Sequence, residues 1–143
     1  MSVRHATAHW EGGLKSGNGT MKLGSGAFEG PFSFATRFGE TPGTNPEELV
    51  GAAHAGCFSM AFSANLEGAG FPPTSVDTTA KVHLNTTDAG PTVDVIELEC
   101  KATVPGIDEA QFQELANKTK QTCPISRLLA AADIRMTATL VAG

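Results

Sequence analysis

Cysteine is scarce in this chain, three in 143 residues, and no two are spaced as C-x-x-C. His5 and His9 are four apart, but they fall at the start of a strand-like run with no cysteine near them, so the four histidines make only a weak case for zinc. Basic residues are also few, ten Lys and Arg against fifteen Asp and Glu. A formal charge of −5 leaves no electrostatic footprint for nucleic acid or an anionic membrane. The N-terminus shows no basic n-region followed by an apolar h-region, which with so few cysteines argues against secretion and a disulfide framework. The chain reads as cytoplasmic, with its thiols reduced at rest. Long hydrophobic runs are missing as well: Leu49 to Ala64 is short for a bilayer and contains His54, Ser59 and Ser63, so it reads as a buried helix of a soluble protein. There are no repeats, low-complexity tracts or long linkers.

What is present fits one domain, residues 1–143. With 41% hydrophobic residues and a mean hydropathy near zero, it should bury about two thirds of its unfolded surface without metal or disulfide staples. Glycine-broken runs at Thr7–Leu14, Met21–Leu23 and Phe32–Phe38, with "SGNGT" (16–20) as a turn, predict an antiparallel meander. Asn45 as cap, Pro46 as first residue and Glu47 and Glu48 in the first turn open a long helix. Gly68 and Gly70, ahead of Pro72 and Pro73, end it. Val76 to Leu84 alternates with period two. Val93 to Ala102 does so with a change of parity that predicts a bulge. Asp108 with Gln111 opens a second helix, interrupted at Cys123-Pro124; "PISRLLAAA" forms a third, and Asp133–Val141 a last strand. The order predicts an α+β fold, antiparallel sheets with a long buried central helix.

The chemistry rests on the thiols. Cys100 is in register with Leu98 and Ala102 on an apolar strand face and reads as packing. Cys57 lies three turns into its helix, beyond the reach of the helix dipole. An unperturbed thiol is only a few per cent ionised at neutral pH, so Cys57 needs a cation. His54, at i−3, and Arg37, at the end of "FSFATRF", are the candidates. Arginine is favoured because its fork of donors can hold a thiolate and a peroxide oxygen together. Glu47 could fix that guanidinium bidentately, yet ten residues of helix set Glu47 about 15 Å from its own Cys57. Either the helix breaks or the Glu47 end of a second subunit completes the site; the small-residue helix favours the second. Cys123, at a cap position before Pro124, reads equally as a polar cap or a reactive thiol. Glu48 reads as a solvated first-turn charge.

Those residues sit in motifs that together resemble the osmotically inducible protein C family, OsmC, a sister of the organic hydroperoxide resistance proteins. The likeness runs through "AHWEGGLKSGNGT", "FATRF", "GTNPEELVGAAHAGCFSMA", "DTTA", "VPGID" and "CPISRLLAA", in order and nearly end to end. The resemblance implies a peroxidase without haem, flavin or metal, built as an intertwined homodimer with two sites at the interface. It implies Cys57 as the peroxidatic cysteine, Cys123 as the resolving one, and Arg37 with Glu47, rather than Glu48, as the activating pair. It also implies a Cys57–Cys123 disulfide reopened by an external dithiol, a dihydrolipoyl group, with organic hydroperoxides preferred to hydrogen peroxide. Two other readings stand beside it: a Cys–His acyl transferase or thioesterase using His54 as base, and a non-enzymatic redox sensor or lipid-binding module.

Overall fold

Ten elements follow one another along the computed structural model, which describes all residues from Met1 to Gly143. They fall into two compact units, Met1–Leu49 and Val50–Gly143. The first is a three-stranded antiparallel sheet of β1 (Ala6–Glu11), β2 (Asn18–Leu23) and β3 (Glu29–Phe32), followed by a short helix α1 (Phe34–Phe38). Two expectations change here. The turn lies ahead of the "NGT" segment, which is already strand: Asn18, Gly19 and Thr20 pair with Glu11, Trp10 and His9. And "FATRF" is helix, not a third strand. Ser33 Oγ accepts from Thr36 N–H at 3.3 Å while Thr36 Oγ1 accepts from Ser33 N–H at 2.9 Å, a reciprocal capping box that starts a helical turn in an aromatic-rich stretch.

Helix α2 (Pro46–Gly68) begins and ends where the residues indicate. Asn45 Oδ1 caps the Glu48 amide at 2.8 Å. At the other end Gly70, at φ +91°, turns the chain so that Phe71 N–H reaches back to the Leu66 carbonyl at 2.9 Å. At 23 residues it is longer than its apolar run, and it meets the length and hydropathy of a membrane span, as core helices of soluble proteins also do. Within the second unit it buries one row, Gly51, His54, Phe58, Phe62 and Leu66. The opposite row, Ala53, Gly56, Met60 and Ala64, is exposed. The central helix is therefore buried along one face.

The second unit's sheet holds β4 (Ser75–Thr87), β5 (Gly90–Thr103) and β6 (Asp133–Val141). β4 and β5 form an antiparallel hairpin whose register slips between His83 and Leu84, leaving Asp94 as the extra residue; this is the bulge that the parity change announces. β6 lies parallel to β5, so the sheet is mixed. Parallel neighbours need a crossover, here α3 (Glu109–Thr122) and α4 (Pro124–Leu128). Asp108 caps α3 through the Gln111 amide at 2.8 Å. α4 is shorter than its nine-residue motif. Phe58, Phe62 and Leu66 pack with Ile96, Leu98, Cys100 and Ala102 of β5 and with Phe112 and Ala116 of α3. Gly51 faces the sheet, where a Cβ would make ordinary van der Waals contact with Val82 and the Ala80 carbonyl at 3.4 and 3.5 Å. The fold class is α+β, as expected.

Candidate functional site

Cys57 and Cys123 are 66 residues apart in sequence, and their sulfurs lie 3.1 Å apart. Both are free thiols. α2 supplies the first and the junction between α3 and α4 the second. That junction exists because Pro124 cannot continue α3: Cys123 closes α3 by giving its N–H to the Thr119 carbonyl and opens α4 at the same time. Cys57 is half-buried, whereas Cys123 is fully buried. Cys100 is buried in the β5 core, consistent with packing, and burial pushes its pKa up.

The two sulfurs are electrostatically unequal. Burial raises the Cys57 pKa, and its hydrogen bond with Cys123 raises it further. For Cys123 burial acts in the same direction but is outweighed by the Ser126 amide, the Cys57 thiol, the Ser126 hydroxyl and the Ile125 amide, so its pKa is lowered. Cys123 makes no short side-chain cap bond; these N–H groups act from the open start of α4 at longer reach. Distance alone lets either sulfur donate to the other. Within the second unit, then, the surroundings favour the thiolate more at Cys123 than at Cys57, where the Ile125 amide alone acts against burial and the neighbouring thiol.

His54 was the nearest cation candidate in sequence, and the structure directs it elsewhere. It is fully buried, and its Nε2 lies 2.7 Å from Ser126 Oγ. Burial lowers its pKa, favouring the neutral ring. The imidazole is thus engaged with Ser126 and is not poised as a base on Cys57. Ser126, 3% exposed, was missed from sequence. Its signal was a hydroxyl at the third position of the helix that Cys123 caps.

The first unit assembles the other pair. The Asn45 side chain gives a hydrogen bond to the Thr36 carbonyl at 3.1 Å, tying the start of α2 to α1. Arg37, in the last turn of α1, then meets Glu47: Nη2 donates to Oε1 at 2.9 Å and Nε to both carboxylate oxygens at 3.2 Å. The Arg37 side chain is 37% exposed and that of Glu47 13%. Glu48 is exposed and takes no part in the fork. Beside Arg37 opens a cleft of about 280 Å³ lined by Trp10, Leu14, Phe32, Ser33, Phe34 and Phe38. Apart from Ser33 and the guanidinium its walls are apolar. No three His, Cys, Asp or Glu side chains gather as a metal-binding set.

A half-buried thiol held against a buried one, on a helix laid over a mixed sheet, defines a protein with a paired-cysteine site in an α+β fold. Residues 39–138 match the OsmC-like protein family. The chain is 52% identical to peroxiredoxin OsmC of Escherichia coli (strain K12) over 125 residues, 87% of each protein. It is 36% identical to the organic hydroperoxide resistance protein of Xanthomonas axonopodis pv. citri over 85 residues, 59% of this chain and 58% of that one. Among solved structures, an organic hydroperoxide resistance protein OsmC of Legionella pneumophila shares the fold with a TM-score of 0.73 at 22% identity, covering 98% of this chain and all of that one. The chain belongs to the OsmC family.

Proposed function

We propose that this protein is a cysteine-based peroxidase for organic hydroperoxides and, more weakly, hydrogen peroxide, acting in defence against oxidative and osmotic stress in a reducing cytoplasm. The single observation that carries the reading is the 3.1 Å approach of Cys57 to Cys123, with the solvent-reachable sulfur on Cys57. The relatives' names, peroxiredoxin OsmC and organic hydroperoxide resistance protein, point the same way.

Cys57 thiolate attacks the terminal oxygen of ROOH. The O–O bond breaks, ROH leaves after taking up a proton, and Cys57 becomes a sulfenic acid. Cys123 condenses with it to a disulfide, releasing water. An external dithiol, a dihydrolipoyl group on a protein or as a small molecule, is oxidised to its own disulfide as the pair returns to thiols. No haem, flavin or metal enters the cycle.

Because Cys57 is not ionised by its own surroundings, the cycle needs the guanidinium of Arg37, held in the Glu47 fork. Each unit by which that charge lowers the Cys57 pKa is worth about 1.4 kcal/mol. The source is a homodimer in which a second copy completes each site. Two features support it. The first unit buries nothing larger than glycine, a poor basis for independent stability. And α2 leaves a row of small residues and Met60, which is 77% exposed, without cover. The apolar cleft beside Arg37 suits an alkyl chain on the peroxide.

Cumene hydroperoxide consumption with dihydrolipoamide as reductant tests the assignment. Cys57→Ser should abolish turnover, and a non-reducing gel of the parent after one equivalent of peroxide should show the intrachain Cys57–Cys123 bond. A retained rate in Cys57→Ser would remove the reading. Oxidation of the parent without repeated turnover would leave the redox sensor in its place.

A further inference from the structure

Two side-chain hydrogen bonds join α2 to the helices on either side of Cys123, and the peroxide step uses neither. Three residues before Cys57, His54 places Nε2 2.7 Å from Oγ of Ser126, which lies three residues after Cys123. Eight residues after Cys57, Asn65 donates from Nδ2 to Oγ1 of Thr119 at 2.8 Å, and Thr119 lies four residues before Cys123. The order along α2 is His54, Cys57, Asn65; along the facing segment it is Ser126, Cys123, Thr119. The two sulfurs, 3.1 Å apart, therefore fall between the two bonds. Three of the four groups are deep in the protein: His54 and Thr119 are 0% exposed and Ser126 3%. Away from water such bonds are costly to break, since the freed group finds no substitute partner. The second bond is also anchored. The Thr119 hydroxyl donates to the Leu115 carbonyl at 2.7 Å, which leaves its lone pairs for Asn65, and the Thr119 carbonyl receives the Cys123 amide at 2.9 Å.

We propose that His54, Ser126, Asn65 and Thr119 are positioning residues: their two hydrogen bonds bracket Cys57 and Cys123 and hold the sulfurs at a separation from which a disulfide closes with little movement of the helices. This rests on the dithiol cycle above. A disulfide bond is about 2 Å long, so closure from 3.1 Å needs about 1 Å of approach. In the condensation the Cys123 sulfur bonds to Cys57, the S–O bond of the sulfenic acid breaks, and the hydroxide leaves with the proton of the Cys123 thiol as water. The competing fate of the sulfenic acid is a second ROOH, which gives its terminal oxygen to the sulfur, forming the sulfinic acid and ROH. A partner sulfur kept within reach favours the disulfide, because an intramolecular step runs at the effective concentration that its geometry sets. The bracket therefore protects Cys57 from over-oxidation, and in the resting protein it reduces the conformational freedom that closing the S–S bond would remove.

Equilibration with a glutathione buffer measures the effective concentration of the two thiols without peroxide, in a Cys100→Ala background so that no third thiol intervenes. Ser126→Ala and Thr119→Val should each lower it about tenfold, which is about 30 mV toward easier reduction. Ser126→Thr and Thr119→Ser, which keep the hydroxyls, should restore most of it. A general loss of stability does not imitate this, because the equilibrium is read in protein shown by circular dichroism to be folded. Under excess cumene hydroperoxide, mass spectrometry should find more Cys57 sulfinic acid in Ser126→Ala and Thr119→Val than in the parent. An effective concentration unmoved in either folded variant overturns the proposal. The glutathione equilibrium needs no peroxide, so the two readings fail separately. A protein without turnover whose effective concentration still follows Ser126 and Thr119 would strike out the peroxidase and support the bracket, whereas full turnover with an unmoved equilibrium would strike out the bracket alone.

Discussion

Cys57 and Cys123 have the same side chain and opposite electrostatic settings. One is a mid-helix thiol whose burial and neighbour favour the proton; the other sits where the open amides of α4 and a hydroxyl favour its loss. On the proposed mechanism a peroxidatic Cys57 depends on a charge from elsewhere, and the guanidinium held in the Arg37–Glu47 fork is the candidate to supply it. Arg37→Met should raise the pH at which Cys57 reacts with an alkyl hydroperoxide and slow the reaction at neutral pH by tenfold or more, about 1.4 kcal/mol for each decade. Stopped-flow kinetics across pH would show it, and an unshifted profile would remove Arg37 from the mechanism. His54 leads to a statement about stability. Its folded pKa is lowered by burial, so below about pH 6.5 the unfolded chain takes up a proton that the folded chain refuses. Stability should fall as pH drops through that value, by at most about 1.4 kcal/mol per unit from this group. Urea denaturation between neutral and mildly acidic pH should show a shallower slope in His54→Gln.

Among the elements, the ones that followed the residues most closely are those with chemical boundaries. Asn45-Pro46 and Asp108 open α2 and α3, and Cys123-Pro124 divides α3 from α4, because caps and proline act within one turn whatever the chain does later. The bulge at Asp94 was legible for a similar reason: a parity change moves side chains to the other face of the sheet and cannot be hidden. Phe32–Phe38 went the other way. Five helical residues are too few to display a 3.6-residue period, and the aromatic residues mimic a strand; only Ser33 with Thr36 marked the helix. α2 as an element depends on its buried row, with the Phe62 and Phe112 rings 5.3 Å apart at the centre of the core. Phe62→Ala should cost about 3–5 kcal/mol in chemical denaturation. A loss below 1 kcal/mol would mean that this core does not hold the helix to the sheet.

At the scale of the whole molecule, the exposed row of α2 and the first unit's lack of a buried core make the same demand for cover. For the homodimer and peroxidase proposed above, Met60→Arg in that exposed row should shift sedimentation toward the monomer and reduce peroxide turnover together, while the Cys57–Cys123 geometry of the single chain is left in place. A dimer that survives Met60→Arg with full activity would put the second copy somewhere other than this face.

The residues alone were enough for the α+β class, for the main helix and strand boundaries, and for the identity of Cys57, Cys123, Arg37 and Glu47 as candidates, since caps, periodicity and motif order are local or linear properties of a chain. Three-dimensional packing had to supply the rest. That β6 lies parallel to β5, that α2 buries one face and bares the other, and that His54 faces Ser126 rather than Cys57 all depend on contacts between segments far apart in sequence. So does the inequality of the two sulfurs: spacing along a chain carries no information about which amides and hydroxyls will surround a thiol once distant helices have met.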